Sequence, residues 1–206
     1  MTTGAMIIGI AARPGRTFRT LATEPRGLAS GARTLLAVGA LYALTSAGLA
    51  AAGALITAPP CLVFSPDNYY ALQAFFALPV FFLAWLAAAG AAYLLSRRRS
   101  QGTFEGMLAV LAPALAVPLI VIWFFAAALA VFLALGGSQE EIMALTTGPG
   151  IEQAVAFGYP ILAAAWLIVL SVLAVRSARR VGWIRAAGAG LAAGFIFLGF
   201  LIVFIR

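Results

Sequence analysis

In Tyr70–Gly136, YALQAFFALPVFFLAWLAAAGAAYLLSRRRSQGTFEGMLAVLAPALAVPLIVIWFFAAALAVFLALG, two long apolar runs flank one basic turn, Ser96-Arg97-Arg98-Arg99-Ser100-Gln101-Gly102-Thr103. Each run is long and apolar enough to cross a bilayer. Three adjacent arginines, Arg97, Arg98 and Arg99, are too costly to leave in hydrocarbon, so the turn marks a membrane face. The bias of arginine toward the cytoplasm makes that face the inner one. The remaining spans are counted outward from this hairpin.

The whole chain agrees with this reading. Its 206 residues are 64% hydrophobic and only 9% charged, with a mean hydropathy of +1.07. A soluble domain keeps roughly a quarter of its residues charged, so this is an all-α, polytopic integral membrane protein. The formal charge of +7 is carried by arginine alone, and histidine is absent. Those arginines sit between apolar runs rather than on one basic face interleaved with aromatics, which argues against nucleic acid. Membrane orientation and attraction to anionic lipid headgroups account for them. The single cysteine, Cys61, excludes an intrachain disulfide. Met6–Ala12 is apolar but short, and its arginines follow it, the wrong order for a cleaved signal; the segment is expected to be retained.

Residues 1–33 form a cytoplasmic segment. Within it, residues 13–26 predict a helix lying on the membrane: Arg16, Arg19 and Arg26 share one side, and Phe18, Leu21 and Ala22 the other. Pro14 suits its first turn and Pro25 ends it. Phe18 and Leu21 would then lie among headgroups, with the arginines near phosphates. Residues 34–206 form the transmembrane domain, with spans at about 34–57, 70–95, 104–135, 151–175 and 181–205. Ser30 is a candidate cap for the first span, Asp67 or Asn68 for the second and Thr103 for the third. Gly39, Ala43, Ala47 and Ala51 make a small-residue stripe suited to packing within the chain or to a homo-oligomer. Ser138-Gln139-Glu140-Glu141 has capping-box spacing and predicts a short helix in the second external loop. Every arginine except Arg206 then falls inside, which gives five spans with the N-terminus in and the C-terminus out. A multi-pass protein of the cell membrane is expected.

Few parts for catalysis are present. Without histidine, and with one cysteine and no lysine, there is no thiolate–imidazole pair, no His/Cys metal cluster and no phosphate-binding loop ending in lysine. Neither an enzyme nor a cofactor is expected. The six acids lie at or beyond the interfaces, whereas ion-coupled transporters place ionisable groups at the midplane. Only Thr45, Ser46, Gln73, Tyr159 and Ser171 offer polarity at that depth. A second reading, a transporter or channel for a small solute, uses the kinks at Pro79, Pro113, Pro118 and Pro160, beside Tyr159, whose freed carbonyls would line a cavity. Glu105 and Arg185 open the third and fifth spans on the inner side, where a salt bridge between them is one expectation and independent solvation the other.

Three inner-side features resemble the Yip family, the five-span Ypt/Rab-interacting membrane proteins and their prokaryotic relatives. They are the leader Arg13-Pro14-Gly15-Arg16-Thr17-Phe18 with Glu24-Pro25, the entry Gly102-Thr103-Phe104-Glu105 with prolines beyond it, and the link Ser177-Ala178-Arg179-Arg180 leading to Trp183, Arg185 and Ala186. The resemblance implies an N-in, C-out five-helix domain. In eukaryotes such domains are associated with small GTPases, vesicle traffic and membrane shaping. The arginine-only, alanine-rich composition suggests a prokaryotic member. The expected function is that of a non-enzymatic scaffold, adaptor or membrane organiser. Its inner surface, with Pro14, Phe18, Leu21, Arg97, Arg98, Arg99, Glu105 and Arg185, would contact headgroups and other membrane or cytoplasmic proteins.

Overall fold

A computed structural model describes residues 2–55, 68–97, 101–141, 144 and 150–205. Eight longer helices appear in chain order among the described residues: α1 (Thr3–Ala12), α2 (Pro14–Thr23), α3 (Gly27–Ala51), α4 (Tyr69–Leu95), α5 (Phe104–Ala116), α6 (Leu119–Ala134), α7 (Ile151–Arg179) and α8 (Trp183–Phe204). Four of them, α3, α4, α7 and α8, are each long and apolar enough to cross a membrane. Helices α5 and α6 qualify together and meet at a 40° bend. The bend falls at Val117-Pro118, where proline has no N–H to continue the ladder and its ring crowds the preceding turn.

A bent pair of this kind is either one broken crossing or a loop that turns back. The contacts with α3 decide between them. Gly31 lies against Ala109. Further along, the Tyr42 hydroxyl donates to the Leu119 carbonyl (3.0 Å). Trp123 Nε1 donates to Thr45 Oγ1 (2.8 Å). Beyond the ends of both helices, the Leu55 N–H donates to Gln139 Oε1 (2.9 Å), and Gln139 Nε2 donates back to the Leu55 carbonyl. Positions 109, 119, 123 and 139 thus climb in step with 31, 42, 45 and 55. The pair runs beside α3 from one end of the bundle to the other, which makes five crossings.

Helix α5 is the centre of the bundle. It packs on α2, α3, α4 and α7, and Met107, Val110, Leu111 and Leu115 are fully buried. Small residues set these distances, since apolar lipid provides little drive to bury apolar side chains and close approach must supply the attraction. A Cβ at Gly31 would fall on the Ala109 carbonyl oxygen. That carbonyl is the one Pro113 releases by lacking an N–H, so α3 closes over the gap left by the proline. Gly190 likewise brings α8 against the backbone of Val172 on α7. The first part of the Gly39 stripe serves the same purpose within the chain: Gly39 meets Leu78 and Phe81 of α4, whereas Ala47 and Ala51 are exposed.

Several local expectations require correction. Ser30 is not a cap, because α3 already starts at Gly27 and Ser30 is buried within it, its carbonyl accepting from the Thr34 hydroxyl. Asn68 occupies the N-cap position of α4 without a capping side-chain bond, and Asp67 lies outside the described residues. The helix of the first expected span, α3, begins and ends earlier than 34–57, and that of the fourth, α7, runs on to Arg179. Thr103 does cap α5, accepting from the Gly106 N–H. The capping box is also present: the Glu141 N–H donates to Ser138 Oγ, and the Ser138 N–H donates to Glu141 Oε2.

Candidate functional site

The ends of the helices sort the charges. The start of α3, the end of α4, the start of α5, the end of α7 and the start of α8 share one end of the bundle with α2. That end carries the arginines at positions 13–33, 97 and 176–185. Pro14 occupies the first turn of α2, where its missing N–H leaves no bond unmade.

The amphipathic helix α2 is present, but its apolar side does not face headgroups. Phe18 is 0% and Leu21 1% exposed, covered by the protein itself, with α2 seated on α7 and α5. An amphipathic pattern demands an apolar partner without specifying lipid or protein. Here the bundle supplies it. The N-terminal apolar residues add a second layer: α1 folds back on α2 and α3, burying Met6 and Ile10. Phe18 and Leu21 are therefore packing residues, and the outward side of α2 is Arg16, Arg19 and Thr20.

A second construction ties the two basic links together, the one after α4 and the one after α7. Arg179 is only 3% exposed. Its guanidinium lies 4.4 Å over the Tyr93 ring, and its Nη1 donates to the Gly102 carbonyl. The Gln101 N–H donates to the Arg179 carbonyl (3.1 Å). Gly102 has φ +95 and lies against Ala178, a backbone shape and a spacing that a side chain would spoil. Tyr93 in turn stacks edge-on to Phe104 at 5.3 Å. A desolvated cation over an aromatic face is worth about 2 kcal/mol. The cluster locks the ends of α4 and α7 to the start of α5. In the sequence Arg179 is one of a row of topology-setting arginines, and nothing local distinguishes it from Arg176 or Arg180.

The remaining predicted residues separate. Arg97 is exposed; Arg98 and Arg99 lie outside the described residues. Glu105 lines a groove of about 250 Å³ with Glu24, Pro25 and Thr103, whereas Arg185 lines a different hollow with Gly182, Trp183 and Ile184. Of the two expectations for Glu105 and Arg185, a direct salt bridge is not the one found: the two residues line separate hollows. Among the prolines, Pro113 and Pro118 are buried, Pro160 is half-buried and Pro79 exposed. Tyr159 stacks on Phe125 at 5.3 Å. None of these five lines the grooves described at the arginine-bearing end or beside α1. Several polar groups at span depth are satisfied by the backbone: Ser46 and Ser171 donate to carbonyls four residues back, and Trp85 Nε1 donates to the Leu108 carbonyl (3.1 Å). Among the described residues no group of three or more Cys, Asp or Glu side chains is placed to hold a metal.

The chain was compared with known proteins. No characterised protein matches it, and no solved structure does. The model of one family, described as the Yip1 domain, matches residues 8–205, from α1 to the residue after α8. That span covers the bundle, the seated helix α2 and both basic links, and the chain belongs to the Yip1 family.

Proposed function

We propose that this multi-pass membrane protein is a non-enzymatic scaffold or adaptor of the cell membrane, with its arginine-bearing end in the cytoplasm and that end as its contact surface. The observation that carries the reading is the contrast between the two kinds of surface. The arginine-bearing end is built from parts distant in sequence: α2 seated through Phe18 and Leu21, the Arg179–Tyr93–Gly102 clasp, and the start of α8 with Ile184 91% exposed. The flanks carry exposed apolar side chains such as Phe75, Phe124 and Ile161 suited to acyl chains. A rigid, polar, multi-element face suits recognition of other proteins, and the positive-inside bias puts it on the cytoplasmic side.

The test uses a photo-crosslinking amino acid at Arg16, at Ile184 and, as a lipid-facing control, at Phe124, in intact cells. Discrete protein adducts are expected from Arg16 and Ile184, lost on Arg19→Glu, and absent from Phe124. Adducts of the same masses from all three sites, or none beyond lipid from any, would remove the basis for a scaffold.

A further inference from the structure

We propose that the groove between α2 and the last turn of α7 is a binding site for the phosphate of an anionic phospholipid headgroup. The groove has a volume of about 440 Å³ and is lined by Arg19, Arg176, Ser177, Arg180 and Val181. Arg19 comes from α2 and the other arginines from the end of α7, so the seating of α2 is what brings the three residues to one groove. Three like charges around one hollow repel, and an anion held there lowers that cost. The protein does not supply one. Among the described residues no carboxylate pairs with any of the three: Glu24 and Glu105 line the other groove, and Glu140 and Glu141 sit in the loop beyond α6 at the opposite end.

Two of the arginines are also held. The Arg176 guanidinium lies 3.8 Å over the Trp183 ring, which fixes its plane. Arg180 takes the left-handed backbone conformation (φ 52) as the C-cap of α7. There it directs its side chain toward Gln101, with Nη1 3.4 Å from Oε1. Planar guanidinium forks match phosphate oxygens two at a time, and a held fork loses little freedom on binding. The Ser177 hydroxyl offers a further donor. The surroundings favour a lipid over a diffusible anion. The groove is at the end of a membrane-length helix, beside Trp183, at the depth where aromatic rings meet headgroups. Basic pockets between helices at that depth are the setting in which acidic headgroups are held.

This site shares Arg19 with the proposed contact surface, but its test is lipid binding by the purified chain and needs no protein partner, so the two readings fail separately. The detergent-purified full chain is titrated with phosphatidylglycerol or phosphatidylcholine and the bound lipid counted by native mass spectrometry. One phosphatidylglycerol is expected to bind more tightly than any other, and phosphatidylcholine is not retained. Each guanidinium near such a headgroup is worth about fivefold in affinity. Arg19→Gln with Arg176→Gln should therefore weaken the tight lipid about 25-fold. Arg13→Gln with Arg33→Gln, both exposed and equal in charge removed, should change it less than about twofold. If the double groove variant does not fold, Arg19→Gln alone gives the reading, at about fivefold. Unchanged affinity in the groove variants would overturn the site, as would equal loss in the control pair, which would mean diffuse attraction only. Displacement of the lipid by millimolar inorganic phosphate would assign the groove to a soluble anion instead.

Discussion

The two halves of the broken crossing differ in a way their apolarity does not announce. Helix α5, FEGMLAVLAPALA, is buried on every side from Gly106 to Ala116 apart from partly buried Leu108, while α6, LIVIWFFAAALAVFLA, buries only Leu119 and leaves Phe124 63% exposed. The more aromatic half is thus the one left at the edge. In water that order would be reversed. In a bilayer the acyl chains already solvate Phe124, so position is settled by how closely backbones can approach, and Gly106, Ala109, Ala112 and Pro113 allow closer approach than phenylalanine does. Pro118 separates the two environments. It lets the chain leave the centre of the bundle and continue along the outer side of α3.

Substitutions on the two halves should therefore have unequal costs. Leu111→Ala in α5 is expected to lower stability by about 2–5 kcal/mol, because the neighbours cannot fill the space. Phe124→Ala in α6 should change it by less than about 0.5 kcal/mol. Equilibrium unfolding in mixed micelles measures both, and equal effects would break the distinction. Gly31→Ala comes next, at about 1–3 kcal/mol, since the new methyl meets the Ala109 carbonyl rather than a side chain that can rotate away. Gly48→Ala on the same helix meets nothing within 4 Å and should be neutral or slightly stabilising. A smaller effect, about 1 kcal/mol, is expected for Trp85→Phe, which removes the donor to the Leu108 carbonyl. At the opposite end, Ser138→Ala should cost about 0.5–1 kcal/mol through loss of the capping box. Because Gln139 in the same turn holds Leu55, faster hydrogen exchange should appear at Leu55 in that variant.

What was legible in the sequence follows the range of the interaction involved. The five apolar runs and the arginine segregation depend on bilayer thickness and the cost of burying charge, both of which act on a segment by itself. The Thr103 cap and the Ser138–Glu141 box are completed within four residues, so their spacing was enough. Helix ends were less legible. Ser30 resembled a cap at the edge of the apolar run, but α3 begins at Gly27 because its first turn is covered by Leu21 of α2 and Ala109 of α5. The amphipathic side of α2 was readable from Arg16, Arg19, Phe18 and Leu21, whereas its occupant was not. Arg179 was illegible for the same reason: its burial depends on Tyr93 and Gly102, which lie far away in the chain. The basic groove was legible only in its parts, since Arg19 and Arg176 become neighbours through the docking of α2.

Everything assigned to the arginine-bearing end depends on α5 and α6 making one crossing, so that the loop after α6 lies across the membrane from the start of α8. In a Cys61→Ser background, Glu140→Cys and Ile184→Cys place one thiol on each side, both at exposed positions. Treatment of intact cells with a membrane-impermeant thiol reagent is predicted to modify the Glu140→Cys variant directly and the Ile184→Cys variant only after permeabilisation. Modification of both variants from the same side would mean that the bent pair turns back, and would contradict the five-crossing bundle.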